Sequence, residues 1–167
     1  MKFGKCVVAL AAALMLASCA TQQAMRVDAG AIANPSPKYR SAMTVRNVTG
    51  GAAMNVLTMP GVQDAPLKAA LEDSLRANGY LAAGTPKYFI DAQINNLQQP
   101  LIGLEYDVVA DVTYTVSGGG ASRTYPIKAK GKGKATFSDS PMGADRLRIA
   151  NERAMQENIK QFLVALK

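Results

Sequence analysis

The sequence predicts an α+β fold: a four-stranded antiparallel or mixed sheet with two helices packed on one face, in the order β-α-β-β-β-α. Two observations lead to this prediction. Apolar residues recur every three to four positions in a central and a C-terminal segment, as on a helix face, and alternate with polar residues in other segments, as on half-buried strands. The 167 residues suit a single domain, and helices collected on one sheet face bury both patterns in one core.

The two helices are predicted over residues 64–80 and 143–167. In the first helix one face is leucine-rich and both ends carry cap signals: Leu67, Leu71 and Leu75 for the face, Asp64 for the N-cap, and Asn78-Gly79 for the C-cap. In the second, the apolar stripe comprises Leu147, Ala150, Ala154, Met155, Ile159, Phe162, Leu163 and Leu166. Both patterns are typical of helices that bury one face.

The four strands are predicted over residues 41–48, 87–97, 104–116 and 123–137. Their core-facing positions share the two-residue alternation: Met43 and Val45; Tyr88, Ile90, Ala92 and Ile94; Tyr106, Val108, Ala110, Val112, Tyr114 and Val116. The segment SGGGAS between the last two strands is a turn, so these strands are predicted to form a hairpin.

The last strand carries a lysine at every second position: Lys128, Lys130, Lys132 and Lys134. Matching apolar positions across the hairpin predicts that Val116 faces Arg123. Three lysines then face carboxylates, in the pairs Asp111–Lys128, Asp107–Lys132 and Glu105–Lys134. The lysine face is therefore either a solvated sheet surface neutralised by these acids or a cationic surface for an anionic ligand such as a phosphorylated glycolipid.

Small residues on the other face of this strand leave a shallow groove: Ala129, Gly131, Gly133 and Ala135. Two groups could fill this groove. One is the C-terminal helix, whose bulky side chains would be Ile159, Phe162 and Leu163. The other is an acyl chain held between helix and sheet.

The first 19 residues are predicted to form a segment separate from the folded domain. Lys2 and Lys5 precede an apolar run over residues 7–16 that is too short to span a bilayer, and small residues follow it. Leu16, Ala17, Ser18 and Cys19 resemble the lipobox of bacterial lipoproteins, in which the cysteine is lipidated and becomes the first mature residue. The resemblance implies a signal peptide over residues 1–18 and a lipid anchor on Cys19; the alternative is an ordinary signal peptide that happens to carry a cysteine.

Residues 19–40 show no sustained periodicity and contain Pro35 and Pro37 among small polar residues. This pattern predicts that the lipidated cysteine is followed by a flexible tether, with a single domain over residues 41–167.

The composition disfavours catalysis. The chain has no histidine and two cysteines, of which Cys6 would leave with the signal and Cys19 would carry lipid. The mature chain would lack the commonest general base, the commonest metal ligand and any thiol. Asp107 and Asp111 share a strand face, but acids that face lysines are usually salt-bridge partners. We therefore predict no catalytic residue, no metal and no cofactor.

A glycine-rich segment over residues 49–62 is unusually apolar for a loop. It contains four large apolar side chains, Met54, Val56, Leu57 and Met59. Such a segment either packs a short strand against the domain or presents an apolar contact surface. Its methionines could also suggest a copper site, although methionines among apolar neighbours are usually core residues.

The element order behind a lipobox resembles that of small proteobacterial envelope lipoproteins, and is similar in layout to the lipopolysaccharide-assembly lipoprotein family and to YajG-like lipoproteins. The segments that carry the resemblance are LASC, RNVTGG, LKAALEDSLRANGY, the alternating strands up to KATF, and NERAMQENIKQFLVAL. The resemblance implies a domain that binds a partner protein or an envelope lipid and catalyses no reaction. Ala20 and Thr21 are not the aspartate that retains enterobacterial lipoproteins at the inner membrane, so the resemblance implies the periplasmic leaflet of the outer membrane.

Three functional hypotheses follow. The first is a non-enzymatic, membrane-anchored lipoprotein that binds lipopolysaccharide or a partner protein in outer-membrane assembly. The second is an auxiliary lipoprotein subunit of a lipid transport complex, and the third is an enzyme acting on a glycolipid. Without Lys2 and Lys5, which would leave with the signal, the formal charge falls from +7 to about +5 (17 basic and 12 acidic residues), which is compatible with an anionic partner. Nucleic acid is not expected in this compartment.

Overall fold

The computed structural model describes residues 21–51, 61–100 and 102–166; within these, the side chains of residues 121–122, 124 and 126–132 are outside the description. The described elements are a 3-10 turn (Pro37–Tyr39), β1 (Met43–Thr49), α1 (Asp64–Ala77), β2 (Tyr88–Gln98), β3 (Tyr106–Gly118), β4 (Ala121–Ala135) and α2 (Gly143–Ala165). Residues 21–25 are also helical. The predicted α+β fold and its order of main elements are confirmed.

The four strands form one mixed sheet in the order β1-β2-β3-β4. β1 and β2 are parallel, because α1 follows β1 and carries the chain back to the end of the sheet at which β1 began. β2 and β3 are antiparallel, and so are β3 and β4. β1, β2 and β4 consequently end at the same end of the sheet, which we call the loop end. At the opposite end, which we call the hairpin end, β1 and β2 begin and residues 118–121 turn from β3 into β4.

One face of the sheet is buried under the two helices. The predicted core positions of β2 and β3 are buried, except that Tyr88 and Tyr106 at the strand starts are partly buried, and the whole predicted stripe of α2 is buried. Removing one large apolar side chain from water stabilises the fold by about 1.5–3 kcal/mol. The alternation in the sequence therefore identified the buried face correctly.

The start of α1 differs from the prediction. The N-cap residue is Gln63, and Asp64 is the first helical residue. The Asp64 carboxylate accepts a hydrogen bond from the backbone N–H of Gly51 at 2.7 Å, so it ties the end of β1 to the helix start rather than capping its own helix. The other end is as predicted: Asn78 is the C-cap, and Gly79 follows in the left-handed region with φ of 75°.

The prediction of a flexible tether over residues 19–40 is wrong for its described part, residues 21–40. Four apolar side chains of this N-terminal segment are buried in the main core: Met25, Val27, Ile32 and Tyr39. Their spacing is irregular because the segment has little regular structure of its own. A non-periodic segment can still bury apolar side chains, and periodicity cannot detect this.

Hydrogen bonds hold the N-terminal segment against both helices. Gln22 donates to the carboxylate of Asp73 at 2.6 Å, and the backbone N–H of Val27 donates to the Ser74 hydroxyl at 2.9 Å, both on α1. From α2, the Gln156 side chain donates to the carbonyl of Arg26 at 2.6 Å. The segment is thus part of the domain.

Replacing Met25 with alanine is expected to destabilise the protein by about 2–5 kcal/mol, because it leaves a cavity in the core. Urea unfolding followed by circular dichroism measures the loss. Gln23→Ala is the matched control, since Gln23 is exposed in the same helical turn. Equal stability of the two variants would mean that the segment is a tether after all.

Candidate functional site

The predicted register of the β3–β4 hairpin is confirmed next to the turn. Val116 pairs with Arg123, Tyr114 with Tyr125, and Asp111 with Lys128. Here the matching of apolar positions was sufficient to align the two strands.

Beyond this point a bulge changes the register. Ala110 pairs with Ala129 but Val108 pairs with Gly133, so β4 has two more residues than β3 between these pairs. The predicted pairing of Asp107 with Lys132 is therefore wrong, and Asp107 lies opposite Lys134. A bulge is a local backbone irregularity that strict alternation does not reveal.

The lysine face is described only in part. Lys134 forms an ion pair with Glu105, with 2.5 Å between Nζ and Oε2, and this carboxylate, through its hydrogen bond and its charge, raises the pKa of Lys134. The side chains of Lys128, Lys130 and Lys132 lie outside the described part. β4 is an edge strand of the sheet, and lysines and bulges are features by which edge strands avoid pairing with other chains.

The groove on the inner face of β4 is filled by α2 at Gly133. A Cβ atom added to Gly133 would lie 2.5 Å from both the carbonyl oxygen of Ala150 and the Cβ of Ala154. The predicted helix filling is thus found, but with small helix residues at the glycine. Phe162 instead stacks on Tyr114, with ring centroids 4.1 Å apart. The close contact between Gly133 and α2 leaves no room for an acyl chain at this position.

Two other predicted features lie outside the described residues. One is the lipidation residue Cys19, and the other is the apolar contact loop with Met54, Val56, Leu57 and Met59. The loop is bracketed by Gly51 and Gly61, which follow β1 and precede α1.

Sequence analysis missed four exposed apolar side chains at the loop end. They are 61–91% exposed and lie in the β2–β3 and β4–α2 connections: Ile102, Leu104, Phe137 and Met142. Beside them, the Arg146 guanidinium lies 5.6 Å from the ring centroid of Tyr106 and 5.5 Å from that of Phe137. Connections lack periodicity, so only the strand directions show that these residues share one end.

The open face of the sheet is polar. A depression of about 290 Å³ lies over the central part of β1, β2 and β3 and is lined by Arg46, Thr49, Gln93 and Thr113, among others. Arg46 is bound to Asp91 through two hydrogen bonds. Chiefly by hydrogen bonding, Arg46 lowers the pKa of Asp91 although partial burial opposes this.

Sequence analysis also missed a group of tyrosines and cations at the hairpin end. Tyr39 of the 3-10 turn packs edge-on against Tyr88 of β2, with centroids 4.9 Å apart. The Lys38 ammonium lies 4.9 Å from the Tyr39 ring centroid, and the Arg123 guanidinium lies 5.1 Å from that of Tyr125. We call these four residues, Lys38, Tyr39, Arg123 and Tyr125, the basic tyrosine cluster.

The part of the chain that the structure describes contains neither a metal-binding group nor a membrane-spanning helix. There, no group of three or more acidic, histidine or cysteine side chains is arranged to hold a metal ion. No helix of this part is long and apolar enough to cross a bilayer.

Comparison with known proteins contributes no argument about function. No protein-family model matches the chain, and no curated protein is significantly similar. Among solved structures, protein XCC0632 from Xanthomonas campestris, assigned to the family model DUF330, matches with a TM-score of 0.43 and 13% sequence identity, over 79% of this chain and 86% of that chain. The functional argument therefore rests on the residues described above.

Proposed function

We propose that this protein is a lipoprotein anchored through Cys19 to the periplasmic leaflet of the outer membrane, where it acts by binding and not by catalysis. Its ligand is an envelope lipid such as lipopolysaccharide, or a partner protein in outer-membrane assembly. The observation that carries the proposal is the lipobox-like sequence Leu16 to Cys19, which directly precedes a packed domain.

The packing of the N-terminal segment supports a position at the membrane surface. Thr21 is the first described residue, and Gln22 already contacts α1. Only Ala20 separates Cys19 from Thr21, so the Cα atoms of Cys19 and Thr21 are at most about 7 Å apart. A lipidated Cys19 would hold the domain against the headgroup layer, because each buried CH₂ of an acyl chain stabilises the anchor by about 0.8 kcal/mol.

The carboxylates support binding over acid–base catalysis. Glu152, Asp91 and Asp139 are each paired with an arginine, respectively Arg148, Arg46 and Arg153. Its hydrogen bond to Arg153, with help from the backbone of Thr136, lowers the pKa of Asp139 to about 2. General acids need a raised pKa, whereas the pKa values of Asp91 and Asp139 are lowered by their arginine partners.

An auxiliary subunit of a lipid transport complex is the second candidate. The exposed apolar side chains at the loop end favour it, because a permanent protein partner would remove Ile102, Leu104 and Phe137 from water. In this case the loop end would contact the partner, and the domain alone would bind little lipid.

Lipidation is tested on the full-length protein expressed in a Gram-negative host. Mass spectrometry of the N-terminal peptide is expected to show an acylated Cys19, and fractionation is expected to place the protein in the outer membrane. Cys19→Ala is expected to abolish acylation and membrane retention. An unmodified Cys19, or equal membrane retention of the variant, would contradict the anchor.

The ligand is tested by affinity capture of the C-terminally tagged lipoprotein from membranes solubilised in mild detergent. Glycolipid recovered with the wild type and lost from the triple variant Lys128→Glu, Lys130→Glu, Lys132→Glu supports lipid binding by the lysine face. A stoichiometric envelope protein lost from Leu104→Ser, Phe137→Ser supports the transport or assembly subunit. The absence of both ligands would refute a binding function.

A further inference from the structure

Two distant parts of the chain meet in the basic tyrosine cluster: Tyr39 packs on Tyr88 at the start of β2, and β3 alone separates this end of β2 from Arg123 and Tyr125 on β4. Lys38 and Tyr39 belong to the N-terminal segment, whereas Arg123 and Tyr125 are core-side positions at the start of β4. Tyr39 and Tyr125 are only 1% and 8% exposed, whereas Lys38 and Arg123 are exposed. Two buried phenols are therefore flanked by two solvent-accessible cations.

The cations of the cluster have no acidic partner within the described residues: the ion pairs found there include neither Lys38 nor Arg123. The hydroxyl of Tyr125 is buried and makes no hydrogen bond of normal length and angle there, although Tyr39 and Arg123 lie near enough to influence its pKa. Buried polar groups normally have a partner, so an unpaired hydroxyl beside two unpaired cations points to an absent anion.

The electrostatics of Tyr39 agree with an anion site. Burial by itself raises the pKa of Tyr39, but the influences of Lys38, Tyr125 and Arg123 together outweigh burial, and the pKa is lowered. For Tyr125, burial and the neighbouring Tyr39 raise the pKa, although Arg123 opposes this. The lowered pKa of Tyr39 means that the cations outweigh burial, so negative charge is favoured beside them.

We propose that Lys38, Tyr39, Arg123 and Tyr125 bind the phosphate group of an anionic lipid headgroup. A phosphate offers several acceptor oxygens, and the cluster offers matching donors: one ammonium, one guanidinium suited to bidentate contact, and two phenolic hydroxyls. This site is separate from the lysine face of β4, because it lies on the core side of the sheet at the hairpin end.

The position of the cluster identifies a lipid as the source of the phosphate, and this step rests on the proposed anchor at Cys19. The N-terminal segment that carries Lys38 and Tyr39 begins two residues after Cys19. Its carbonyls at residues 27 and 28 contact Asn78 at the end of α1, near the hairpin end. Two further exposed cations lie at this end: Arg40, three residues before β1, and Lys87, directly before β2. A basic end of the domain close to a lipid anchor would be attracted to the anionic headgroups of a leaflet.

The test uses the full-length lipoprotein in dodecyl maltoside micelles and three probes: dihexanoyl phosphatidic acid, dihexanoyl phosphatidylcholine and inorganic phosphate. Titrations are followed by calorimetry and by tyrosine fluorescence, since the chain has no tryptophan. Phosphatidic acid is expected to bind at least tenfold more tightly than the other two probes. Lys38→Ala, Arg123→Ala is expected to weaken it at least tenfold, and Tyr125→Phe several-fold.

The matched control is Lys68→Ala, Lys160→Ala, which removes two positive charges from α1 and α2 outside the cluster. It is expected to retain wild-type affinity. Thermal unfolding of each variant identifies any loss of binding that is due to unfolding, and Tyr125→Phe, which removes a single oxygen atom, is the variant that perturbs packing least.

Three outcomes would overturn the proposal: no phosphatidic acid binding, equal loss in the control variant, or inorganic phosphate binding as tightly as phosphatidic acid, which would indicate a free-phosphate site. The mass of the N-terminal peptide is measured on the same sample. Selective phosphatidic acid binding by a protein with unmodified Cys19 would support the site while refuting the anchor, and an acylated protein that binds no probe would refute the site alone.

Discussion

Replacing Gly133 with valine is expected to destabilise the protein by about 3 kcal/mol, because the site has no space for a side chain. The new Cβ would lie 2.5 Å from the carbonyl oxygen of Ala150 and 2.9 Å from the backbone nitrogen of Ala154. Both atoms belong to the backbone of α2, which cannot yield as a flexible side chain would. Helix and strand would have to separate, with loss of neighbouring core contacts. Chemical denaturation followed by circular dichroism measures the effect.

Gly84→Val is the matched control for this experiment. A Cβ at Gly84 meets no atom within 4 Å, so substitution there is expected to change stability by less than about 0.5 kcal/mol. Similar stability of the two valine variants would show that α2 does not rest on β4. The groove would then be open to another occupant, such as the acyl chain that the sequence also allowed.

Replacing Asn158 with leucine is expected to destabilise the protein by about 3 kcal/mol, because it leaves two buried polar groups without their partner. The Asn158 side chain accepts a hydrogen bond from the Tyr114 hydroxyl at 2.9 Å and donates one to the carbonyl of Ala110 at 3.0 Å. Both Asn158 and Tyr114 are fully buried. Burial raises the pKa of Tyr114, so its hydroxyl stays protonated and continues to need an acceptor.

A double-mutant cycle with Tyr114→Phe isolates the contribution of this hydrogen bond. The double variant is expected to lose less than the sum of the two single losses, with a coupling of about 1–2 kcal/mol. Gln161→Ala on the half-buried part of the same helix is the control and is expected to be nearly neutral. Strict additivity would argue against the hydrogen bond between Tyr114 and Asn158.

The packed N-terminal segment changes the geometry expected of an anchored protein. A flexible tether over residues 19–40 would hold the domain at a variable distance from the membrane. With Met25 and Val27 in the core, a lipid on Cys19 would instead keep the domain at the headgroup layer. Short-range recognition of membrane lipids then becomes the simplest use of its surfaces.

Part of the candidate sites could be predicted from sequence because it depends on neighbours in one hairpin. The lysine face and the pair Asp111–Lys128 followed from alternation alone. The shift of Asp107 to Lys134 did not, because a bulge between the Val108 and Ala110 pairings changes the register without altering the residue pattern. The exposed Ile102 and Phe137 come from two connections whose proximity depends on strand direction.

The α+β class, the two helices, the strands and the buried face of the sheet could all be predicted from the amino-acid sequence alone. These features depend on periodic patterns within single elements, where the spacing of apolar residues decides which side is buried. Three features became visible only in the folded chain: the packing of residues 21–40, the close contact of α2 with Gly133, and the proximity of the N-terminal segment to the start of β4. These contacts join residues far apart in the chain, and no local pattern encodes which distant surfaces become complementary after folding.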